Sequence, residues 1–499
     1  MCAMIYLPNG VKGIMQTIQQ EGGTPYLVGG AVRDTLLNEV PHDYDVASNL
    51  TPEEVIDVFK KHNINVVESL GNNFGVVCAF HQGSFVEVAT FRADRYDGTD
   101  AHRPSSVTFS KTIEEDLARR DFTVNALAMD LNGKIIDPYG GQQDIQNRLL
   151  RPVGDAKTRY MEDALRMYRA CRFVAKLRFT YSENGKDEAK EFCGDRDFWK
   201  SCNAKNLSSS RVLDETRKLI LLNNADAGFR LMMTSGLINA PCLQRKNGKE
   251  VYVEPFKPLA HLYKLEQNTE HHIFDAWEHT LHALADSPSM NIMLRFAVLF
   301  HDSAKGLEGI RDVREDGQPT DYNHEKESAK ILKKSLEELG FSHDNIRQAC
   351  WIVRNHMDFI NLQAVNNRQV ERWVRRKAHD FGKQKDLVEN LYLLNSMFRA
   401  DMRASSFMSG VAYHRDISPR MDYAIQFAKD RMVLHSSELD ISGNDVLKAI
   451  QGTDINIKDA FSNLIRKVQD GNVKNEEKAL QKSLEKYVKR HTENLEVER

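Results

Sequence analysis

Residues Pro25–Ser48 read PYLVGGAVRDTLLNEVPHDYDVAS, and they decide how the first part of the chain is understood. Leu27 and Val28 run into the bare pair Gly29-Gly30, and a short helical segment follows with Arg33 and Asp34. Two aspartates one residue apart, Asp43 and Asp45, come next. Strand side chains alternate between faces, so Asp43 and Asp45 are expected to point one way while Tyr44 and Val46 enter the core. Two carboxylates this close repel, and burying them unpaired is costly. A divalent cation removes the conflict, and paired metals recur where phosphoryl groups are transferred. Alone, such a pair reads more readily as surface acids at a strand end. Two further features point to chemistry. Gly29 and Gly30 let backbone N–H groups approach phosphate at a helix start, with Arg33 in reach of a triphosphate. Glu87 is an acid inside the apolar run SFVEVATF.

Outward from this stretch, residues 1–150 read as mixed α/β. Thr51 caps a helix that starts at Pro52, with Glu53 and Glu54 in its first turn. Strand-like runs follow at VVCAF and SFVEVATF, then a polar, turn-rich loop over 95–107. From about Arg151 the apolar spacing becomes helical and stays so almost to the end. The expected breaks are a Pro/Gly-containing region, Asn247–Pro258, and a polar loop, Gly306–Tyr322. From Lys474 the chain reads as a charged, solvated helix.

The chain has 499 residues, 41% of them hydrophobic and 28% charged, enough for several cores in a soluble protein. Its net charge of −3 neither demands nor excludes nucleic acid, which would need a local basic patch. No apolar run is long enough to cross a membrane, and MCAMIYLPNG lacks the features of a signal peptide. Seven cysteines without CxxC spacing fit free thiols in a reducing cytoplasm.

Three further blocks carry chemistry. RRDFTVNALAMD places Arg119, Arg120 and Asp121 ahead of Asn125, with Phe122, Val124, Ala126 and Leu127 as core candidates. In MEDALRMYRACRF, Asp163 and Arg166 stand three apart, as neighbours on one helical face, and Arg169 and Arg172 continue it. A carboxylate accepts from an exocyclic amine and a guanidinium donates to ring nitrogens or carbonyls. Cytosine and adenine both carry that amine, so this pair suits either. With Lys176 the arginines form a basic face for RNA phosphates. A second basic stretch, RQVERWVRRKAH, reads equally as an RNA contact or as a charged helix face with Trp373 buried. In the second half, EHT, FHDSAKG, YNHEK and VRNHMDF set out His279, His301, Asp302, Lys305, His324 and His356, and Asp401 follows. Mixed imidazole and carboxylate ligands suit Ni²⁺, Mn²⁺, Zn²⁺ or Mg²⁺.

LVGGAVRD…DYD…EVATFR…EEDLARRDFTVNALAMD resembles the class II tRNA nucleotidyltransferase and bacterial poly(A) polymerase family. The resemblance implies an α+β, polymerase-β-like nucleotidyltransferase head, then an all-α neck, HD body and tail. The expected spans are 1–150, 151–240, 255–410 and 411–499. It implies that Asp43 and Asp45 bind Mg²⁺ with Glu87 as third carboxylate. Gly29, Gly30, Arg33, Arg119 and Arg120 would hold the nucleotide, Asp163 and Arg166 would select it, and Arg169 and Arg172 would contact it. SRVLDETRKLILL resembles a further family motif of mainly structural role, with Arg211, Glu215 and Lys218. The second half resembles the HD metal-dependent phosphohydrolases. That resemblance implies His279, His301, Asp302 and Asp401 as ligands of a second divalent metal, lined by Lys305, His324 and His356.

The expected activity is template-independent addition of the 3′-terminal CCA to tRNA from CTP and ATP in the cytoplasm. Poly(A) addition shares the head motifs, and the HD region offers hydrolysis of RNA-end phosphates as another reading. Near the C-terminus, ISGNDVLKAIQGTDINIKDAFSNL resembles the family's last element but departs from its pattern after Gly452.

Overall fold

The computed structural model describes residues 7–67, 75–95, 106–185, 191–358, 366–405 and 418–497. These divide into two compact units. The first is Met1–Tyr263 with Lys334–Phe341, and the second is Lys264–Lys333 with Ser342–Arg499.

In the first unit, α1 (Asn9–Gln20) buries Val11, Ile14, Met15 and Ile18, the stripe that a 3.6-residue period turns to one side. Next come β1 (Tyr26–Val28), α2 (Gly30–Leu36) and β2 (Tyr44–Ser48). Helix α3 (Pro52–Lys61) starts as expected. Thr51 Oγ1 accepts from the Glu54 amide at 3.4 Å, and the Glu54 carboxylate accepts from the Thr51 amide at 2.8 Å. Strands β3 (Asn65–Val67), β4 (Val76–His81) and β5 (Ser84–Thr90) follow. Then come a β6–β7 hairpin (Arg92–Arg95, Ser106–Phe109) and α4 (Ile113–Ala118). The sheet is completed by β8 (Ala128–Met129) and β9 (Ile135–Ile136), in the order β3-β4-β5-β2-β1-β8-β9. Only β2 and β5 run parallel, and every other neighbouring pair is antiparallel.

The two faces of this sheet differ. Helices α1 and α3 pack on the face that carries Val46, Val77, Ala79, Val86 and Val88. On the opposite face, among the described residues, Val28, Ala47, Phe91, Ile113, Leu117, Ala126 and Ala128 form a cluster at one end. Asp45 and Glu87 lie on that second face, outside the cluster.

Helix α5 (Gly141–Asn147) closes the head span, and the neck opens with α6 (Ala156–Glu162) and α7 (Leu165–Leu177). Helices Ser209–Ile220 and Ala225–Thr234 then pack on α7. The break expected at Asn247–Pro258 contains instead half of a β-hairpin, Cys242–Lys246 with Lys249–Val253. Asn247 and Gly248 both have positive φ, the Asn-Gly turn that twists with its strands. A smaller hairpin, Arg311–Val313 with Pro319–Asp321, lies in the polar loop.

The second unit is helical. Its last helix, Glu477–Val497, is not simply solvated: Leu480 and Leu484 join a core with Val446, Ile450, Leu464 and Val468. Trp373 is buried and its indole N–H donates to Asp358 Oδ2 at 3.0 Å, as expected of a charged helix face with one buried Trp. The turn-rich stretch 96–105 lies outside the described residues. Among the described residues no helix is long and apolar enough to cross a membrane, and the cysteines are free.

Candidate functional site

The turn at Gly29 begins the site. Its φ of +67° with ψ of −127° is backbone that only glycine adopts readily, and a Cβ there would stand 2.8 Å from Arg120 Nη1. The Gly29 amide donates to the Leu127 carbonyl at 3.1 Å, which ties the turn to RRDFTVNAL. Next to β1, β2 pairs Asp45 with Val28 on one side and with Glu87 on the other. Asp45 and Glu87 are thus directly opposed on parallel strands, with both side chains exposed. Since β5 sits between β4 and β2, Glu87 is not an edge-strand charge. Asp43 is exposed one residue ahead of β2 rather than on it, and Tyr44 is half-buried rather than a core residue. Withdrawal from bulk water raises the Asp45 pKa, Glu87 and Asp43 raise it further, and Arg120 works the other way. Three acids sharing one corner beside one arginine are a donor set that suits a hard divalent cation.

The arginines are held by acids of their own. Arg119 and Arg120 share the buried Asp116, at 2.6 Å and 3.1 Å. Asp116 was not singled out from the sequence, although its spacing of three and four to the two arginines on a helix was a readable signal. Arg33 is buried and turned inward, bonded to Asp34 at 2.6 Å and to Asn125 Oδ1 at 2.5 Å. Asn125 in turn donates to Asp121 at 3.0 Å, and Asp121 accepts from Arg169 Nη2 at 2.5 Å. Burial works to raise the Asp121 pKa, but Arg169 and Asn125 outweigh it and hold the carboxyl at about 2. Arg172 pairs with the buried Glu215 at 2.5 Å and lies 4.2 Å from the centre of the Phe173 ring. Gly29, Asn125, Asp121 and α7 are therefore one connected network.

Two expectations for the neck are corrected. Asp163 and Arg166 do not share a helical face: Asp163, at φ −146° and ψ 102°, breaks α6 from α7. Its carboxylate accepts from the Leu165 amide at 3.0 Å, the local side-chain bond by which Asp competes with helix continuation. Arg166 is buried and donates to Glu162 at 2.9 Å and to the Arg119 carbonyl at 2.8 Å. Nor do Arg166, Arg169 and Arg172 form an open basic face, since Glu162, Asp121 and Glu215 engage them and Lys176 alone of the four is exposed.

In the second unit the histidines that the HD resemblance pointed to lie close together. His279 Nε2 lies 3.0 Å from Asp401 Oδ1 and 3.4 Å from His301 Nε2, and His301 Nε2 lies 3.2 Å from Asp302 Oδ2. The other Asp302 oxygen is 3.1 Å from His324 Nε2, which is 3.2 Å from His356 Nε2. His301, His324 and His356 each place Nδ1 2.7 Å from a backbone carbonyl, of Val298, Asp321 and Val353. That contact assigns the ring proton to Nδ1 and leaves Nε2 free to ligate. Burial and the neighbouring His324 push the His356 pKa down to about 3, keeping it neutral. Burial alone would raise the Asp302 pKa, but His301 and Lys305 hold it well below the usual range. The donors fit a divalent transition metal. Gln267, which accepts from Lys305 at 2.8 Å, had no sequence signal.

Residues 25–151 match the family described as the poly A polymerase head domain. This stretch is similar to a poly A polymerase head. Behind this head, residues 201–244 match the probable RNA and SrmB-binding site of polymerase A, and residues 271–389 match the HD domain. The CCA-adding enzyme of Geobacillus sp. (strain WCH70) is 42% identical over 238 residues, 48% of this chain and 55% of that protein. That of Geobacillus thermodenitrificans (strain NG80-2) is 51% identical over 168 residues, 34% and 40% of the two chains. The chain thus spans about half the length of the curated relatives it matches. The crystal structure of the Bacillus stearothermophilus CCA-adding enzyme in complex with CTP covers 97% of this chain and 98% of its own. Its TM-score is 0.60 at 25% identity.

Proposed function

We propose that the poly A polymerase head is a template-independent RNA nucleotidyltransferase that builds or repairs the 3′-terminal CCA of tRNA from CTP and ATP. The observation that carries this reading is the register of β2 on β5, which sets Asp45 opposite Glu87 with Asp43 one step ahead. The RNA 3′-oxygen attacks the α-phosphorus, the bond to the bridging oxygen breaks, and pyrophosphate leaves while the hydroxyl proton passes to solvent. Asp43, Asp45 and Glu87 would hold Mg²⁺, which when bound neutralises the acids and activates the attacking oxygen. Gly29 keeps the backbone bare where phosphate approaches, and Arg120 faces the same corner from the turn just after α4. Asp163 and Arg166 select the base, their positions set by the α6–α7 break and by Glu162. The similarity to CCA-adding enzymes, one of them bound to CTP, supports CCA addition over poly(A) addition.

The test is incorporation on tRNA lacking its CCA end. Two C residues with CTP alone, then one A when ATP is added, are expected. A long ladder with ATP alone would make the chain a poly(A) polymerase. Asp45→Asn is expected to lower incorporation at least a thousandfold while RNA binding persists; incorporation that survives overturns the assignment.

The inward-facing Nε2 atoms around Asp302 favour a second reading for the HD region. We infer that His279, His301, Asp302 and Asp401 would hold a divalent metal, with His324 and His356 beside it, and that bound metal would supply Lewis acidity for hydrolysis of phosphate esters at RNA ends. The donor set suits Ni²⁺, Mn²⁺ or Zn²⁺ more than Mg²⁺. Hydrolysis of a 2′,3′-cyclic nucleotide with each metal in turn tests it, and turnover that His301→Ala leaves intact would refute it. The free cysteines and the lack of a spanning helix among the described residues accord with a cytoplasmic setting.

A further inference from the structure

The open corner of the head sheet holds more than acids. Phe85 is two residues before Glu87 on β5 and so shares its face, about 7 Å along the strand. The register pairs Phe85 with Phe80 of β4, and Glu87 with Cys78. Extending the β2–β5 register by one step sets Phe85 level with Asp43. Both residues are about half exposed, Phe80 at 48% and Phe85 at 47%, and among the described residues neither belongs to the apolar cluster on this face. Across that face the order is fixed by the sheet: Gly29 at the exit of β1, the acids on β2 and β5, and the two phenylalanines on β5 and β4.

This order separates two sides of the reacting corner. The side toward β1 carries the Gly29 turn, Arg120 and the network that leads to Asp163 and Arg166, so it receives the incoming nucleotide. In-line transfer brings the attacking oxygen from the other side of the α-phosphorus, which is the side of β5 and β4. We propose that Phe80 and Phe85 form a stacking platform for the nucleobase at the 3′ end of the acceptor RNA. The inference rests on the nucleotidyl-transfer reading of the same corner. Every base has a π-face, so stacking holds an end whatever its identity. An enzyme whose acceptor end changes with each addition needs such indifference there, and selectivity only on the nucleotide side.

The test uses the full chain, with Phe85→Ala, Phe80→Ala, the double variant, and Phe85→Trp as the conservative replacement. Thermal unfolding of the double variant is read first, as a control for folding. With CTP saturating, the KM for a tRNA lacking CCA is expected to rise roughly tenfold in each single variant and more in the double, from the worth of one base stack. The KM for CTP is expected to stay unchanged, and Phe85→Trp to restore acceptor KM. An acceptor with an abasic 3′-terminal nucleotide should weaken the wild type as much as the double variant does, with no further loss when the two are combined. Acceptor KM unchanged in the double variant overturns the platform.

Binding separates this proposal from the reading beneath it. Acceptor RNA ending in the fluorescent base 2-aminopurine should be quenched on binding the wild type and not the double variant. Quenching without incorporation would leave the platform and remove the nucleotidyl-transfer reading. Incorporation without quenching would do the reverse.

Discussion

Asp121 joins the head to the neck through Arg169 and Asn125, and its protonation has a measurable consequence. Its pKa of about 2, against an ordinary 3.8, means that ionisation contributes roughly 2 kcal/mol at neutral pH. Because folding depresses the pKa, that contribution is complete above about pH 4 and fades as pH falls toward 2. Asp121→Asn is expected to lower stability by about 2 kcal/mol at pH 7 and to flatten the acid limb of the stability curve, as read by urea unfolding across pH. Equal losses at pH 7 and pH 2.5 would refute this. The residue types of RRDFTVN were plain in the sequence, but their pairing was not. Arg169 meets Asp121 across 48 positions, and no local spacing announces such a contact.

Elements begin and end where a few residues dictate. Replacing Thr51 by Ala removes half of the capping box of α3 and is expected to cost about 1 kcal/mol, visible as a lower urea midpoint with unchanged slope. Gly29→Ala forces a side chain into backbone at φ +67°, ψ −127° and toward Arg120, at a cost of roughly 1–3 kcal/mol. On the proposed reading phosphate approaches at this same turn, so incorporation should fall further than stability does; a fall in stability alone would reduce Gly29 to a hinge. The cap and the glycine turn were visible because both are local. The α6–α7 break was not: MEDALRMYRACRF has unbroken helical spacing, and only the Asp163 carboxylate bonded to the Leu165 amide interrupts it. The hairpin at Cys242–Val253 was likewise hidden, its Asn-Gly turn lying inside a stretch otherwise read as irregular.

For the molecule as a whole, the two units predict separable responses. Ni²⁺ or Mn²⁺ at a hundred times its dissociation constant should stabilise the HD region by about 2.7 kcal/mol, read as an upward shift in its melting transition. His301→Ala should abolish that shift while the incorporation proposed for the head persists. A metal-induced shift that survives His301→Ala places the ion elsewhere.

Read as sequence, the chain already held its motif chemistry: paired acids after a glycine turn, the arginine blocks, and the histidines of the second half. Those signals depend on residue type and short spacing, which a linear string preserves. Folding supplied the rest. It opposed Asp45 to Glu87 across 42 residues through a parallel register, turned Arg33 inward, and engaged Arg166, Arg169 and Arg172 with acids. It also left Phe80 and Phe85 in the open on the same face. Which charge finds which partner, and which side chain stays exposed, depends on distances between segments far apart in the chain, and these exist only once the core has closed.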